Sequence, residues 1–408
     1  MKIVMFTDCY YPRINGVTIS VRSYGECLGK LGHQVLVVSC NFEDSENDDK
    51  SYVCYYDPIN SKHPNLTVLR VPTNRLFFSE EDRLMRLEYW KRVEEELIKF
   101  SPDIVHMHSE FGAGYFAKKY AKKYNVPLVY TFHTMWEDYV ANYVNFLPVA
   151  FSKYIVRKLL HFYIKRAKLI LCPTSRVKKI VTDYDPSANS VVFPTGIPDF
   201  STEDLTEVEE IVKQELASLI PDYENKKILL YAGRIVREKN IDFLMKVFAN
   251  LLKDNQDIVF ILVGGGPAVD ELKKLASELD ISDKVFFMGY RPQQELLYYY
   301  KLAYLFIFSS LTETQGLVTI EAMSLGTPVV AIGEMGTLDV MQGDNGGFMV
   351  KNDLNEFCNK AHLLLNNKEL YTQKSQEALA WSKQWLINEL SVKLVEYYQN
   401  LLNENQGK

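Results

Sequence analysis

The 408-residue sequence contains no run of about 18 uncharged apolar residues, so no segment of it reads as a membrane-spanning helix. The opening residues Met1-Lys-Ile-Val-Met-Phe6 read as a short strand, not a signal peptide. Cysteine is sparse and unpatterned. Cys9, Cys27, Cys40, Cys54, Cys172 and Cys358 form no CxxC and no even ladder, which excludes a disulfide scaffold and suggests reduced thiols in a cytosolic protein. No Cys/His set has a recognisable ligand spacing, which argues against a zinc site. The first strand is not followed by GxGxxG, which weakens a dinucleotide reading. No sequence repeat is present. Acids are scarce in one segment: Phe111 to Ile180 holds thirteen Lys or Arg against Glu137 and Asp138, a net +11 in a chain of total −6. Such a split predicts a basic surface with an anionic partner.

What is present is a repeated alternation of short apolar runs and amphipathic stretches. The length exceeds one ordinary core and suggests two domains of roughly 200 residues. With 47% hydrophobic and 24% charged residues, both can be well packed. Lys2–Phe6, a helix over about 19–31 and His33–Ser39 make a strand–helix–strand unit, the start of a parallel sheet. Val68–Val71 and Asp103–His108 read as strands, Glu80–Lys99 and Tyr115–Tyr124 as helices, and Val126–Phe132 as a strand ending at His133. Pro194-Thr-Gly-Ile-Pro198 reads as a linker, after which the alternation restarts. The expectation is an α/β chain of two doubly wound, Rossmann-like domains facing across a cleft. The first spans residues 1–195 and is completed by a C-terminal helix over about 382–408; the second spans 196–381.

The second half carries the most informative stretch, Leu311-Thr-Glu-Thr-Gln-Gly-Leu-Val-Thr-Ile-Glu-Ala-Met323. It lies between the apolar run Ala303–Phe308, read as a buried strand, and a helix over Ile320–Leu325. Glu313 falls in the loop and Glu321 in the helix. The backbone of Thr314, Gln315, Gly316 and Leu317 can offer N–H groups to an anion at the helix start, and Gly316 permits close approach. Phosphates for the amides and hydroxyls for the carboxylates describe a nucleotide-sugar. A capped helix with two surface glutamates is the plain alternative.

Gly233-Arg-Ile-Val-Arg-Glu-Lys-Asn240 also follows a strand and opens a helix. Arg234 offers a planar fork and Lys239 a mobile point charge, a pair suited to a diphosphate leaving group. A polar loop closed by a salt bridge through Glu238 is the competing reading. Gly264-Gly-Gly-Pro267 is either an approach for a ligand or an ordinary turn. Ligands of open parallel sheets sit at strand carboxyl ends, which makes Gly16, His108 and His133 candidates for one crevice, with His106 deeper in the core. Asp183-Tyr-Asp185 resembles a metal-binding DxD but lies beside Pro186 and reads as a turn.

Phe151 to Lys168 reads as a helix with Lys153, Arg157, Lys158, His161, Lys165 and Lys168 in one sector of about 140°. Its cationic face suits an anionic membrane surface, or is simply solvated. Nucleic acid is disfavoured, because no aromatic platform interleaves the charges.

Taken together, the Gly233–Asn240 motif, the Gly264 cluster, and Glu313 and Glu321 with seven residues between them resemble the retaining glycosyltransferases of family 4. The likeness extends to Asn15-Gly16-Val17, His133 and the C-terminal helix. It implies a GT-B fold, a nucleotide-sugar donor, retention of anomeric configuration and no required metal or other cofactor. By position it assigns Arg234 and Lys239 to the diphosphate, Glu313 to donor-sugar hydroxyls and Glu321 to the ribose. Tyr290 and Arg291 would lie near the base, Gly265 and the 314–317 backbone on the donor, Gly16 at the phosphate and His133 at the sugar.

Tyr130-Thr-Phe-His-Thr-Met-Trp-Glu-Asp-Tyr139, Thr312-Glu-Thr-Gln-Gly316 and the basic helix further resemble the diacylglycerol α-glucosyltransferases of bacterial membranes. That likeness implies UDP-glucose as donor, a diacylglycerol-type acceptor and a peripheral place on the cytoplasmic face of the membrane. Trp136, Asp138, Lys153, Arg157, Lys158 and Lys165 are then the candidate acceptor- and membrane-facing residues. A soluble family-4 enzyme with a small-molecule or glycan acceptor is the alternative.

Overall fold

The computed structural model describes the chain except residues 14, 43–54, 58–63, 77–78, 134–148, 314 and 407–408. It divides into two compact units, Met1–Gly196 with Ile387–Lys408, and Ile197–Leu386.

The first unit contains β1 (Lys2–Thr7), α1 (Gly16–Lys30), β2 (Gln34–Cys40), β3 (Tyr55–Asp57), β4 (Leu66–Val71), β5 (Thr73–Leu76), β6 (Ser79–Met85) and α2 (Trp90–Phe100). It continues with β7 (Ile104–Met107), α3 (Gly112–Tyr124), β8 (Leu128–Thr131), α4 (Val149–Ile164), β9 (Leu169–Cys172), α5 (Ser175–Tyr184) and β10 (Ser190–Val192). Eight strands form one sheet in the order β10-β9-β8-β7-β1-β2-β4-β3, parallel except for the edge strand β3. Side chains alternate across a strand, and both faces here are covered. Val4 and Phe6 of β1 enter one core while Ile3 and Met5 enter the other. This is why the strands read as continuous apolar runs.

The C-terminal helix, Ile387–Gln406, supplies the second of those cores. Ile387, Leu390, Leu394, Tyr398 and Leu401, spaced along one helical face, pack with Tyr24, Cys27 and Leu28 of α1. Return to the first unit occurs at Ile387 and not at about residue 382, because Trp385 is buried in the second unit's core. Gly196 is required here by space: a Cβ would lie 2.8 Å from Ile387 Cα.

The helix expected over Glu80–Lys99 is a correction. Its first part is β6, paired antiparallel with β5. Helix begins only at Trp90, where Trp90, Val93 and Leu97 give one buried face. The basic helix also ends early, at Ile164, so Lys165 and Lys168 lie beyond its last turn.

The second unit holds α6 (Thr206–Leu219), β11 (Lys227–Ala232), α7 (Ile241–Leu251), β12 (Ile258–Val263), α8 (Val269–Glu278), β13 (Val285–Gly289) and α9 (Gln293–Leu302). It closes with β14 (Leu305–Phe308), α10 (Leu317–Ser324), β15 (Val329–Ile332), α11 (Gly336–Met341), β16 (Gly347–Val350), α12 (Leu354–Asn366) and α13 (Lys368–Ser382). Its six strands are all parallel, in the order β13-β12-β11-β14-β15-β16. The chain direction across the sheet reverses between β11 and β14, and ligands of doubly wound sheets bind at such a switch point. The equivalent reversal in the first unit lies between β1 and β7.

Candidate active site

The loops that follow β11 and β14 meet at the second unit's switch point. Ser309, at the end of β14, is fully buried and its hydroxyl lies 2.9 Å from the carbonyls of both Lys239 and Asn240. Asn240 opens α7 from a left-handed conformation. Thus fixed at its base, Lys239 places Nζ 2.5 Å from Glu313 Oε1, with the two side chains only 17% and 21% exposed. Arg234, on the same loop, is exposed, and no acid pairs with it among the described residues. Glu238 makes no salt bridge among the described residues; its neighbour Arg237 pairs with Glu271 at 2.6 Å.

Gly316 caps α10 with φ +77°, a conformation that favours glycine. The helix starts at Leu317, three residues earlier than expected, so Leu317 sits in its first turn, where N–H groups lie outside the helical ladder. The Gly336 N–H, 2.9 Å from the Glu313 carbonyl, anchors this loop from the start of α11. Gln315 is buried, and Thr314 lies outside the described residues. Glu321, inside α10, accepts the Tyr300 hydroxyl at 3.0 Å. Burial pushes its carboxyl above the usual range, against the pull of that hydrogen bond.

The glycine cluster serves packing between loops. A Cβ on Gly264 would lie 1.9 Å from the Gly233 carbonyl oxygen, and one on Gly266 2.2 Å from that of Ile235. Gly265 meets Tyr290, whose hydroxyl donates to the Gly265 carbonyl at 3.1 Å while the residue stays 74% exposed. The Arg291 guanidinium bridges Glu215 of α6 at 2.5 Å and Glu295 of α9 at 3.4 Å.

In the first unit, His108 and His133 follow β7 and β8, and His108 Nδ1 lies 3.0 Å from His133 Nε2. His106 is a core residue, 1% exposed, between Tyr398 Oη at 2.6 Å and Thr131 Oγ1 at 2.7 Å. Burial lowers His106 to about 3 and His133 to about 4, so both rings are neutral at pH 7. Spacing alone placed His106 and His108 on one face; it gave no sign of Tyr398, 292 residues away. Gly16 opens α1 behind the cap residue Asn15, and, its chain neighbours and its own helix backbone apart, nothing among the described residues lies within 4 Å of where its Cβ would be. Asp185 closes a local turn by accepting from Ser187, as the DxD-like tripeptide was read.

On α4 the apolar residues divide. Val156, Leu160 and Tyr163 are buried, whereas Tyr154, Ile155, Leu159 and Phe162 are 37–57% exposed beside the exposed Arg157 and Lys158. Lys165 is exposed just past the helix, and Lys118 of α3 donates to the Phe162 carbonyl at 2.7 Å. Trp136 and Asp138 lie outside the described residues, as does the Lys153 side chain. No helix among the described residues is long and apolar enough to cross a membrane.

Comparison with known proteins agrees with this layout. The family model for glycosyltransferase family 4 matches residues 14–199, and that for glycosyl transferases group 1 matches 213–381. An alpha-monoglucosyldiacylglycerol synthase of Streptococcus pneumoniae is 31% identical over 335 residues, covering 82% of this chain and 71% of that protein. The chain is a family 4 glycosyltransferase. A second alpha-monoglucosyldiacylglycerol synthase, from Acholeplasma laidlawii, is 27% identical to this glycosyltransferase over 419 residues, covering 100% of this chain and 99% of that one. Its fold is the GT-B arrangement of two Rossmann-like domains. The crystal structure of Anabaena HepE in complex with UDP-glucose matches it with a TM-score of 0.71 at 16% identity, over 98% of this chain and 100% of that one.

Proposed function

We propose that this glycosyltransferase moves glucose from UDP-glucose to the hydroxyl of a diacylglycerol-type lipid, with retention of configuration, while bound peripherally to the cytoplasmic face of an anionic membrane. The contact between Lys239 and Glu313 at the switch point, beside an Arg234 that no acid pairs among the described residues, carries the catalytic part. Arg234 and Lys239 neutralise the departing diphosphate, a fixed positive charge aimed at charge that develops in the transition state. Glu313 accepts from donor-sugar hydroxyls and Glu321 from the ribose. Tyr290 over Gly265 offers a face to the base, while Gly16, with open space before it, lets phosphate approach the backbone. His133 meets the sugar. These cations take the part a metal plays in other transferases, so no metal is required.

The lipid acceptor is supported by the names of the two synthases and by the uncovered stripe on α4. Apolar side chains flanked by cations suit the interface of an anionic bilayer, where each Lys or Arg adds about 1 kcal/mol.

The test is UDP release and lipid glucosylation from UDP-glucose on diacylglycerol vesicles, with and without anionic lipid and chelator. Turnover that rises with anionic lipid, withstands chelator and yields the α-anomer is expected. Replacing Ile155, Leu159 and Phe162 together by serine is expected to release the protein from vesicles without lowering its melting temperature. Full turnover on a soluble acceptor with no vesicle binding would favour the small-molecule reading instead.

A further inference from the structure

Three imidazoles stand in a row at the carboxyl end of the first unit's sheet, and the reaction above uses only the last. His106 is satisfied on both nitrogens by hydroxyls, which rotate to donate or accept, so either tautomer fits there. His108 lies against it, with ring centroids 3.9 Å apart, and is 2% exposed. Its Nδ1 meets His133 Nε2 at 3.0 Å, while its Nε2 is buried with no hydrogen-bond partner. His133 ends the row. Its Nδ1 has no hydrogen-bond partner among the described residues, and the residue as a whole is half-buried, the most open of the three.

Burial keeps both rings of the pair neutral at pH 7. Two neutral imidazoles joined by one hydrogen bond share one hydrogen across it. If His133 were the donor, the hydrogen of His108 would sit on Nε2, a buried N–H with nothing to receive it. A stranded donor costs about 1–3 kcal/mol, and buried orphan N–H groups are rarer than under-used acceptors. With His108 as donor, only a lone pair goes unused.

We propose that His108 is a positioning residue that holds His133 in the Nδ1–H tautomer, so that the open edge of His133 presents a hydrogen-bond donor. The group it meets is then an acceptor oxygen, a sugar hydroxyl or a phosphate oxygen, and His133 is not a general base. This rests on the placement of His133 at the donor proposed above. His106, packed on His108 and tied to the C-terminal helix through Tyr398, walls the donor ring into place.

Long-range proton–nitrogen correlation spectra of the whole protein labelled with nitrogen-15 histidine test the tautomer directly at pH 7.5, with assignments from His133→Gln and His108→Asn. The expected pattern is a protonated Nδ1 and a bare Nε2 on His133. A protonated Nε2 on His133 overturns the proposal. In turnover, His108→Asn retains an amide that can donate at the Nδ1 position and is expected to stay within about 3-fold of wild type. His108→Phe, which cannot donate, is expected to lose about 10-fold or more in kcat with KM for the donor little changed. Equal losses in both folded variants would overturn the positioning role; if the Phe variant does not fold, a loss of about 10-fold in kcat in the Asn variant with the Nδ1–H tautomer of His133 retained would do so. If the wild-type spectrum is as expected but His133→Gln turns over normally, the placement of His133 at the donor fails and the tautomer assignment stands.

Discussion

Replacing Lys239 by alanine removes the ammonium that lies 2.5 Å from Glu313 Oε1, and it separates structural from catalytic accounts of that pair. As a structural ion pair, with side chains 17% and 21% exposed, its breaking costs between about 1 kcal/mol, as for a screened pair, and about 3–5 kcal/mol, as for a buried one. For a unit of this size each kcal/mol moves the melting temperature by about 2–4 °C. As a group that stabilises a departing diphosphate, its loss should cost about 100-fold in kcat, roughly 2.7 kcal/mol, with Arg234 left to carry the remainder. The two accounts fall on different observables, stability and the kcat of the folded enzyme, and so can be told apart. Turnover of UDP-glucose on vesicles, measured beside thermal melts, gives both numbers for Lys239→Ala, Glu313→Gln and the double variant. If both side chains act on one bound donor, the double variant should lose less than the product of the single losses. A folded Lys239→Ala enzyme keeping more than about a tenth of wild-type kcat would refute the role assigned to this loop.

Three further outcomes follow from the packing and the titrating groups. Leu394→Ala in the C-terminal helix empties a fully buried site and should destabilise the first unit by about 2–5 kcal/mol in denaturant titration; a loss under 1 kcal/mol would mean that the helix is not part of that core. Gly264→Ala forces a Cβ to 1.9 Å from the Gly233 carbonyl and should lower the melting temperature strongly, while Gly16→Ala should melt like wild type yet raise KM for the donor. Because the folded His133 titrates near 4, below its ordinary 6.5, the folded state binds fewer protons than the unfolded chain between those values. Its contribution to stability is therefore full above pH 6.5 and lost as pH falls towards 4. His133→Gln should reduce that acid sensitivity in pH-resolved melts; an unchanged profile would contradict a His133 held neutral by desolvation.

Strand positions and the two-unit organisation were legible in the sequence because a strand covered on both faces must be apolar throughout, and β1, β8, β11, β12 and β14 show this directly. Glycine and proline marked the Pro194–Pro198 crossing for the same local reason. Residue types also carried the candidate site, since a guanidinium, an ammonium and two carboxylates beside strand ends imply a polyanionic, hydroxylated ligand. Where the signal was short-range and the outcome was not, the reading failed. The charged Glu80–Lys99 stretch looked helical, but its first six residues became part of a hairpin strand that buries Met85. Gly264 and Gly266 were open to two readings, a ligand approach or a turn, and the sequence held no sign that both also sit where two backbone loops nearly touch.

Composition and periodicity determined the elements, their alternation and the inventory of charges, all of which depend on neighbours a few residues apart. Only the tertiary structure decided which of those charges meet. Lys239 reaches Glu313 across 74 residues because β14 pairs with β11 after two intervening strands have gone to the other side. Tyr398 reaches His106 across 292 because a returning helix needed a covered face. Those meetings depend on the order of strands in a sheet and the closing of a core, quantities that no local window of sequence contains.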